Sequence, residues 1–172
     1  MRTRVTTAAL SAVLVLALTG CTTPDPPEPT PTSAFSSEEA AFAAAEETYR
    51  AYVDAVNARR ADPTGTTAPT DFLIADALEA EIDTEHLMAS EGLSITGKTK
   101  VTGAQGHSWD ADNGDVELNV CIDSSGTTVR DATGADVTPA SRPVTYVLAV
   151  RFELVADDLL ISSTRQTADA TC

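Results

Sequence analysis

Two histidines and a scatter of carboxylates are the residues whose types could support acid–base or metal chemistry. His86 follows Glu85, an order in which a carboxylate can orient an imidazole base, and His107 stands beside Ser108 and Trp109. A general base needs both reach to a substrate and a tuned pKa, and neither follows from these neighbours alone. His86 therefore reads as a helix-surface residue, and His107 with Trp109 as a pocket rim. Asp110, Asp112, Asp115 and Glu117 gather oxygen donors in one short segment. Gly114 is the fifth position from Asp110, where a helix-loop-helix calcium loop needs an oxygen ligand, and the glycine belongs at the sixth. The segment reads as a solvated turn, Asp157 and Asp158 as a polar hairpin tip, and no metal is expected. Asp54, Asp76 or His107 could serve an enzyme by projecting into a cavity, and periodicity does not choose among them. The chain has no glycine-rich phosphate loop, nucleophile elbow, histidine–glutamate zinc motif or clustered cysteine ligands. Motif-marked enzyme classes thus lack support, and no cofactor is expected.

The three cysteines carry more information. Cys21 follows a basic start with Arg2 and Arg4, the apolar run Ala8 to Leu18, and the small residues Thr19 and Gly20. This is the layout of a signal peptide, residues 1–20. As a helix the apolar run would reach about 16 Å, roughly half the hydrocarbon thickness, which suits export better than permanent spanning. Leu18, Thr19, Gly20 and Cys21 resemble the lipobox of bacterial lipoproteins. The resemblance implies that the Cys21 thiol takes a diacylglycerol and becomes the first mature residue. Two acyl chains satisfy the rule that stable anchoring needs more than one. The implied placement is the extracytoplasmic face of the cell membrane, with the lipid bilayer as a partner through acylated, palmitate-type Cys21. With Cys21 committed to lipid, Cys121 and Cys172 remain, and an exported protein permits them to oxidise. A structural disulfide between them is expected; two free thiols or a redox pair are the alternatives.

Residues 21–35 form the lipidated cysteine and a tether, in which Pro24, Pro26, Pro27, Pro29 and Pro31 favour an extended polyproline II spacer. The remainder, residues 36–172, is of a size for one domain. The net charge of -15, from 26 acidic against 11 basic residues, would repel a phosphate backbone, so no nucleic-acid partner is expected.

The elements that must position any site follow from periodicity. Ser36 with Glu39 is a capping-box pattern, and Phe35 a staple before it. Phe42, Ala45, Tyr49, Tyr52, Val53 and Val56 recur at helical spacing on one face. Asp62, Pro63 and Gly65 end that helix. A second helical segment, capped by Thr70 or Asp71, runs from Phe72 to Met88 as one bent helix or two broken near Asp83, and Gly92 stops it. The period then changes to two. Residues 94–101 read as a strand, Val116, Leu118, Val120 and Ile122 as one face of another, and Thr127 to Arg130 as a short return. Val144 to Leu154 makes a long strand, and Leu159 to Thr167 the last. Helices first and consecutive hairpins second give an α+β layout, with N-terminal helices packed on a mostly antiparallel sheet.

The N-terminal helix with Tyr49 and Tyr52, the segment EGLSITGKTKV, the strand VELNVCID and the segment RPVTYVLAVRFELV make the domain similar to small actinobacterial lipoproteins with an NTF2-like, or SnoaL-like, cone. The resemblance implies a curved sheet wrapped around a helix, leaving a concave pocket with Tyr49, Tyr52, His107 and Trp109 in or around it. That cone serves enzymes and noncatalytic proteins alike, so it assigns no activity. The expected function is a noncatalytic, membrane-anchored lipoprotein that binds a protein or cell-envelope component. A cone binding a small hydrophobic ligand is the alternative, and an isomerase-like enzyme the less favoured one. Oligomeric state stays open.

Overall fold

The computed structural model describes residues 34–168, 170 and 171. The expected signal peptide, Cys21 and the proline tether as far as Ser33 lie outside the described residues, as does Cys172. Among the described residues no helix is long and apolar enough to cross a membrane.

Helix α1 spans Glu38–Ala61. Its cap is Ser37, whose hydroxyl accepts from the Ala40 backbone N–H at 3.1 Å, one residue later than the Ser36 pattern placed it. Glu38 and Glu39 in the first turn and Arg59 and Arg60 in the last complement the helix dipole. A single 3-10 turn at Pro69–Phe72 takes up Thr70 and Asp71, so neither caps the second helix. Helix α2, Ala75–Ser90, starts instead from Ile74 without a side-chain cap and runs through Asp83 unbroken. Its entry is fixed by Ile74, whose N–H bonds the carbonyl of Ile161 at 2.9 Å.

Six strands follow: β1 Ser94–Gly97, β2 Lys100–Trp109, β3 Val116–Asp123, β4 Thr127–Arg130, β5 Thr145–Val155 and β6 Asp158–Thr167. The single strand expected over 94–101 is two. Gly97 has φ +84, in the left-handed region, and a side chain there would run into the backbone of Gly126. Only glycine fits a corner that turns the chain so tightly. The break lets β1 pair with β4 while β2 pairs with β3.

The result is α+β with antiparallel sheets, but not the cone the resemblance implied. The larger sheet has the order β2-β3-β5-β6, and β1 with β4 makes a separate two-stranded sheet. Neither sheet is closed or strongly curled. The physical reason lies in the ends: β2 and β6 sit on opposite edges of the four-stranded sheet, and among the described residues no strand joins those edges.

The alternation read from β3 holds. Val116, Leu118, Val120 and Ile122 are all buried, and they meet Val150 and Phe152 of β5 and Ile161 of β6. Ala41, Ala45, Tyr49 and Val53 of α1 complete this core. Each large side chain so buried contributes about 1.5–3 kcal/mol, before the entropy of ordering it is subtracted. The two alanines let the helix backbone come close to the sheet. One turn along, Phe42 lies over Gly106 of β2, where a Cβ would strike its ring.

A cleft between the helices and the first strand

In the second half of α1, Tyr52, Val56 and Arg60 recur at intervals of four residues and so share a face, with Tyr52 also packed against the core. Opposite them, α2 presents Glu81, Glu85 and Met88 on its own stripe. Leu93, Ser94 and Ile95 bring the start of β1 to the same place. These residues, with Arg59, Pro69, Thr84 and Ala89, line a cleft of about 360 Å³, which falls in the range of small-molecule sites.

Its geometry is held from several sides. Asn57 fixes the corner between β1 and β2 by bonding both backbone groups of Thr99, each at 2.9 Å. Arg60 then donates through Nη1 to the Thr99 hydroxyl at 2.8 Å. The Tyr52 ring packs between Tyr49 and Phe72, at centroid distances of 5.7 and 6.5 Å. Its hydroxyl donates to Glu81 Oε2 at 3.5 Å, a long contact across the two helices.

Partial burial sets the electrostatics. Desolvation, then the charge of Glu85, pushes the Glu81 carboxyl above its ordinary value, against the pull of Arg60 and Tyr52. Desolvation lowers Arg60, opposed by Tyr52 and Glu81. Burial, followed by the charge of Glu81, raises the Tyr52 phenol, which stays neutral through the physiological range. Among the described residues the ion pairs are Arg50–Glu46, Arg151–Asp115 and Arg151–Glu153. Arg60 and Glu81 belong to none of them, so two half-desolvated charges face one cleft without a salt-bridge partner.

The residues singled out from sequence are dispersed. Tyr52 lines the cleft. Tyr49, 3% exposed, belongs to the core instead, and burial raises its phenol too. His107 is exposed on β2, and His86 is exposed on α2 although its neighbour Glu85 reaches the cleft. Asp76 is exposed in the first turn of α2. Asp54 lines a separate depression with Arg50, Asn57 and Lys98. Trp109 borders another of about 220 Å³ with Asp110, Asp115, Glu117 and Arg151. There the turn explains the carboxylates: Asp110 accepts from the Asp112 N–H, and Asp115 pairs with Arg151 at 2.8 Å. Among the described residues no group of three His, Cys, Asp or Glu could hold a metal ion.

Cys121 is the one described cysteine, and no disulfide joins two described residues. The expected bond to Cys172 is therefore not part of the described structure, since its second half lies outside it. The Cys121 sulfur is nonetheless not a free thiol.

Arg60 and Glu81 escaped the sequence reading because each looks like an ordinary helix-surface charge. One signal was present: Arg60 continues the Tyr52–Val56 stripe, placing a cation at the end of an apolar face.

No protein-family model matches the chain, and no curated protein matches it. Among solved structures it is similar to the crystal structure of the intermembrane space region of the chloroplast protein ARC6, at 16% identity and a TM-score of 0.44, covering 72% of this chain and 96% of that one.

Proposed function

We propose that the protein is a noncatalytic binding module, tethered by a lipidated Cys21 to the outer face of a cell membrane, and that the cleft between α1, α2 and β1 is its binding site for a small amphipathic molecule. The observation that carries the binding reading is the pairing of apolar lining, Val56, Met88, Leu93 and Ile95, with two unpaired charges, Arg60 and Glu81. Apolar walls supply affinity, and a few fixed polar groups orient the ligand. The membrane placement is supported by the order of basic start, short apolar run and Leu18-Thr19-Gly20-Cys21.

Two experiments test these parts separately. Native mass spectrometry of gently purified full chain, and titration with the neutral apolar reporter N-phenyl-1-naphthylamine, address the cleft. Ala89 is exposed on its rim, and Ala89→Trp should fill it. Reporter fluorescence that rises with the parent chain and not with Ala89→Trp supports the reading; equal fluorescence overturns it. For placement, intact-mass analysis of membrane-extracted protein should find a diacylglyceryl group that Cys21→Ser lacks. An unmodified mass would remove the tether from the account.

A further inference from the structure

We propose that the cleft takes a small zwitterion with an apolar body, of free amino acid or dipeptide size, its carboxylate toward Arg60 and its ammonium toward Glu81. This inference rests on the reading of the cleft as a binding site and names the class of ligand for it.

The wall from α1 carries Arg59 and Arg60, and the wall from α2 carries Glu81 and Glu85. The cleft is therefore dipolar, positive on one helix and negative on the other, above an apolar floor. A purely apolar ligand gains the apolar floor but makes no hydrogen bond to either charge, so it binds more weakly than a molecule that answers them. An anion alone would satisfy Arg60 and meet repulsion from Glu81 and Glu85; a cation alone would do the reverse. A molecule bearing both charges satisfies both walls.

Hydrogen-bonding capacity agrees. Arg60 uses Nη1 on Thr99, and among the described residues the rest of its donor fork has no hydrogen-bond partner. That fork matches a carboxylate in the bidentate manner. Arg59, whose Nη1 donates to the Pro63 carbonyl at 3.1 Å and whose Nε is buried without a partner among the described residues, adds a second positive charge to the same wall. On the other wall, Glu81 accepts at Oε2 from Tyr52, and among the described residues Oε1 has no donor. An ammonium, with three donors, can supply one. The volume of about 360 Å³ leaves room for a side chain against Met88, Leu93 and Ile95.

The test is calorimetric titration of the full chain with L-leucine and with the dipeptide Leu-Leu, each beside its N-acetyl derivative, which lacks the ammonium, and its amide, which lacks the carboxylate. At least one zwitterion should bind, with each of its derivatives weaker by about tenfold or more, the scale of a lost charged hydrogen bond. Arg60→Met should abolish discrimination against the amide and leave that against the N-acetyl compound. Glu81→Gln should do the opposite. Where a variant fails to fold by circular dichroism, the derivative series on the unaltered chain decides alone. Equal binding of all three forms, or no binding of either zwitterion by a chain that still binds N-phenyl-1-naphthylamine, overturns the zwitterion while leaving the cleft as a binding site. Failure of the reporter as well overturns both.

Discussion

The side-chain amide of Asn57 and the backbone of Thr99 form a reciprocal pair: Nδ2 donates to the Thr99 carbonyl and Oδ1 accepts from its N–H, both at 2.9 Å. Thr99 sits in the two-residue corner where the chain leaves the small sheet and enters the large one. An amide side chain that offers one donor and one acceptor at the right spacing replaces the strand partner that a corner residue lacks. The same corner then presents the Thr99 hydroxyl to Arg60, so a helix–loop contact also orients a charge of the cleft.

Asn57→Ala should therefore destabilise the protein by about 1–3 kcal/mol, the cost of two half-buried backbone groups losing their partners. It should also weaken ligand binding through Arg60. Denaturant unfolding measures the first effect, and hydrogen exchange at the Thr99 amide locates it. Asn57→Asp keeps the acceptor and loses the donor, so its Thr99 amide should stay protected. Unchanged exchange in Asn57→Ala would mean that the corner is held by something else.

What the sequence made legible divides along physical lines. Strand β3 was readable because Val116, Leu118, Val120 and Ile122 alternate with Glu117, Asn119, Cys121 and Asp123, and one buried face forces that register. Helix α1 was readable from its stripe, although its cap is Ser37 and not the Ser36 of the capping-box pattern. Sheet curvature was not, because alternation specifies which face is buried and says nothing of whether edges meet; the expected cone failed there. The break at Gly97 was equally hidden, since a glycine in a β-branched run does not announce which later segment its strand will join. The cleft escaped for a related reason. Arg60 and Glu81 are far apart in sequence, and only the packing of α1 against the 3-10 turn, with α2 following it, brings them to one place.

Gly106 tests the packing of α1 on the sheet. A Cβ there would overlap the ring of Phe42, whereas a Cβ at Gly103, in the same strand, meets only the Cβ of Cys121 at an ordinary 3.9 Å. Gly106→Ala should cost about 1–3 kcal/mol by overpacking, and Gly103→Ala much less. Pairing Gly106→Ala with Phe42→Leu should recover part of the loss. Equal stabilities of the two alanine variants in thermal unfolding would show that Phe42 moves aside freely.

Arg142 ties down the turn before β4. Its Nη1 donates to the Thr127 hydroxyl at 2.9 Å, and its Nη2 to the carbonyls of Thr127 and Ser124 at 3.0 and 3.3 Å. A lysine carries the charge but has no planar fork, so it cannot reproduce this set of contacts to both residues. Arg142→Lys should lower stability by about 1–2 kcal/mol, with increased exchange at the β1–β4 amides and little change in the larger sheet. Uniform loss of protection across both sheets would contradict a local clamp.

The raised carboxyl of Glu81 makes stability depend on pH with a definite sign. Burial and Glu85 hold its folded value above its unfolded one, so between the two the folded chain binds more protons than the unfolded chain. Stability from this group therefore falls as pH rises through that interval, starting near the ordinary carboxylate range, and levels off above the folded value. Asp62, Asp123, Asp131 and Asp136 act oppositely: hydrogen bonds from neighbouring Thr or Ser hydroxyls and backbone N–H groups lower them, so their contribution is lost as pH falls. The difference between the parent chain and Glu81→Gln isolates the first effect, because the four aspartates are common to both. Urea unfolding across pH 4 to 8 should show the glutamine variant gaining relative stability as pH rises, then a plateau. A difference that is flat, or that grows toward acid, would place the Glu81 carboxyl in water rather than in the cleft wall.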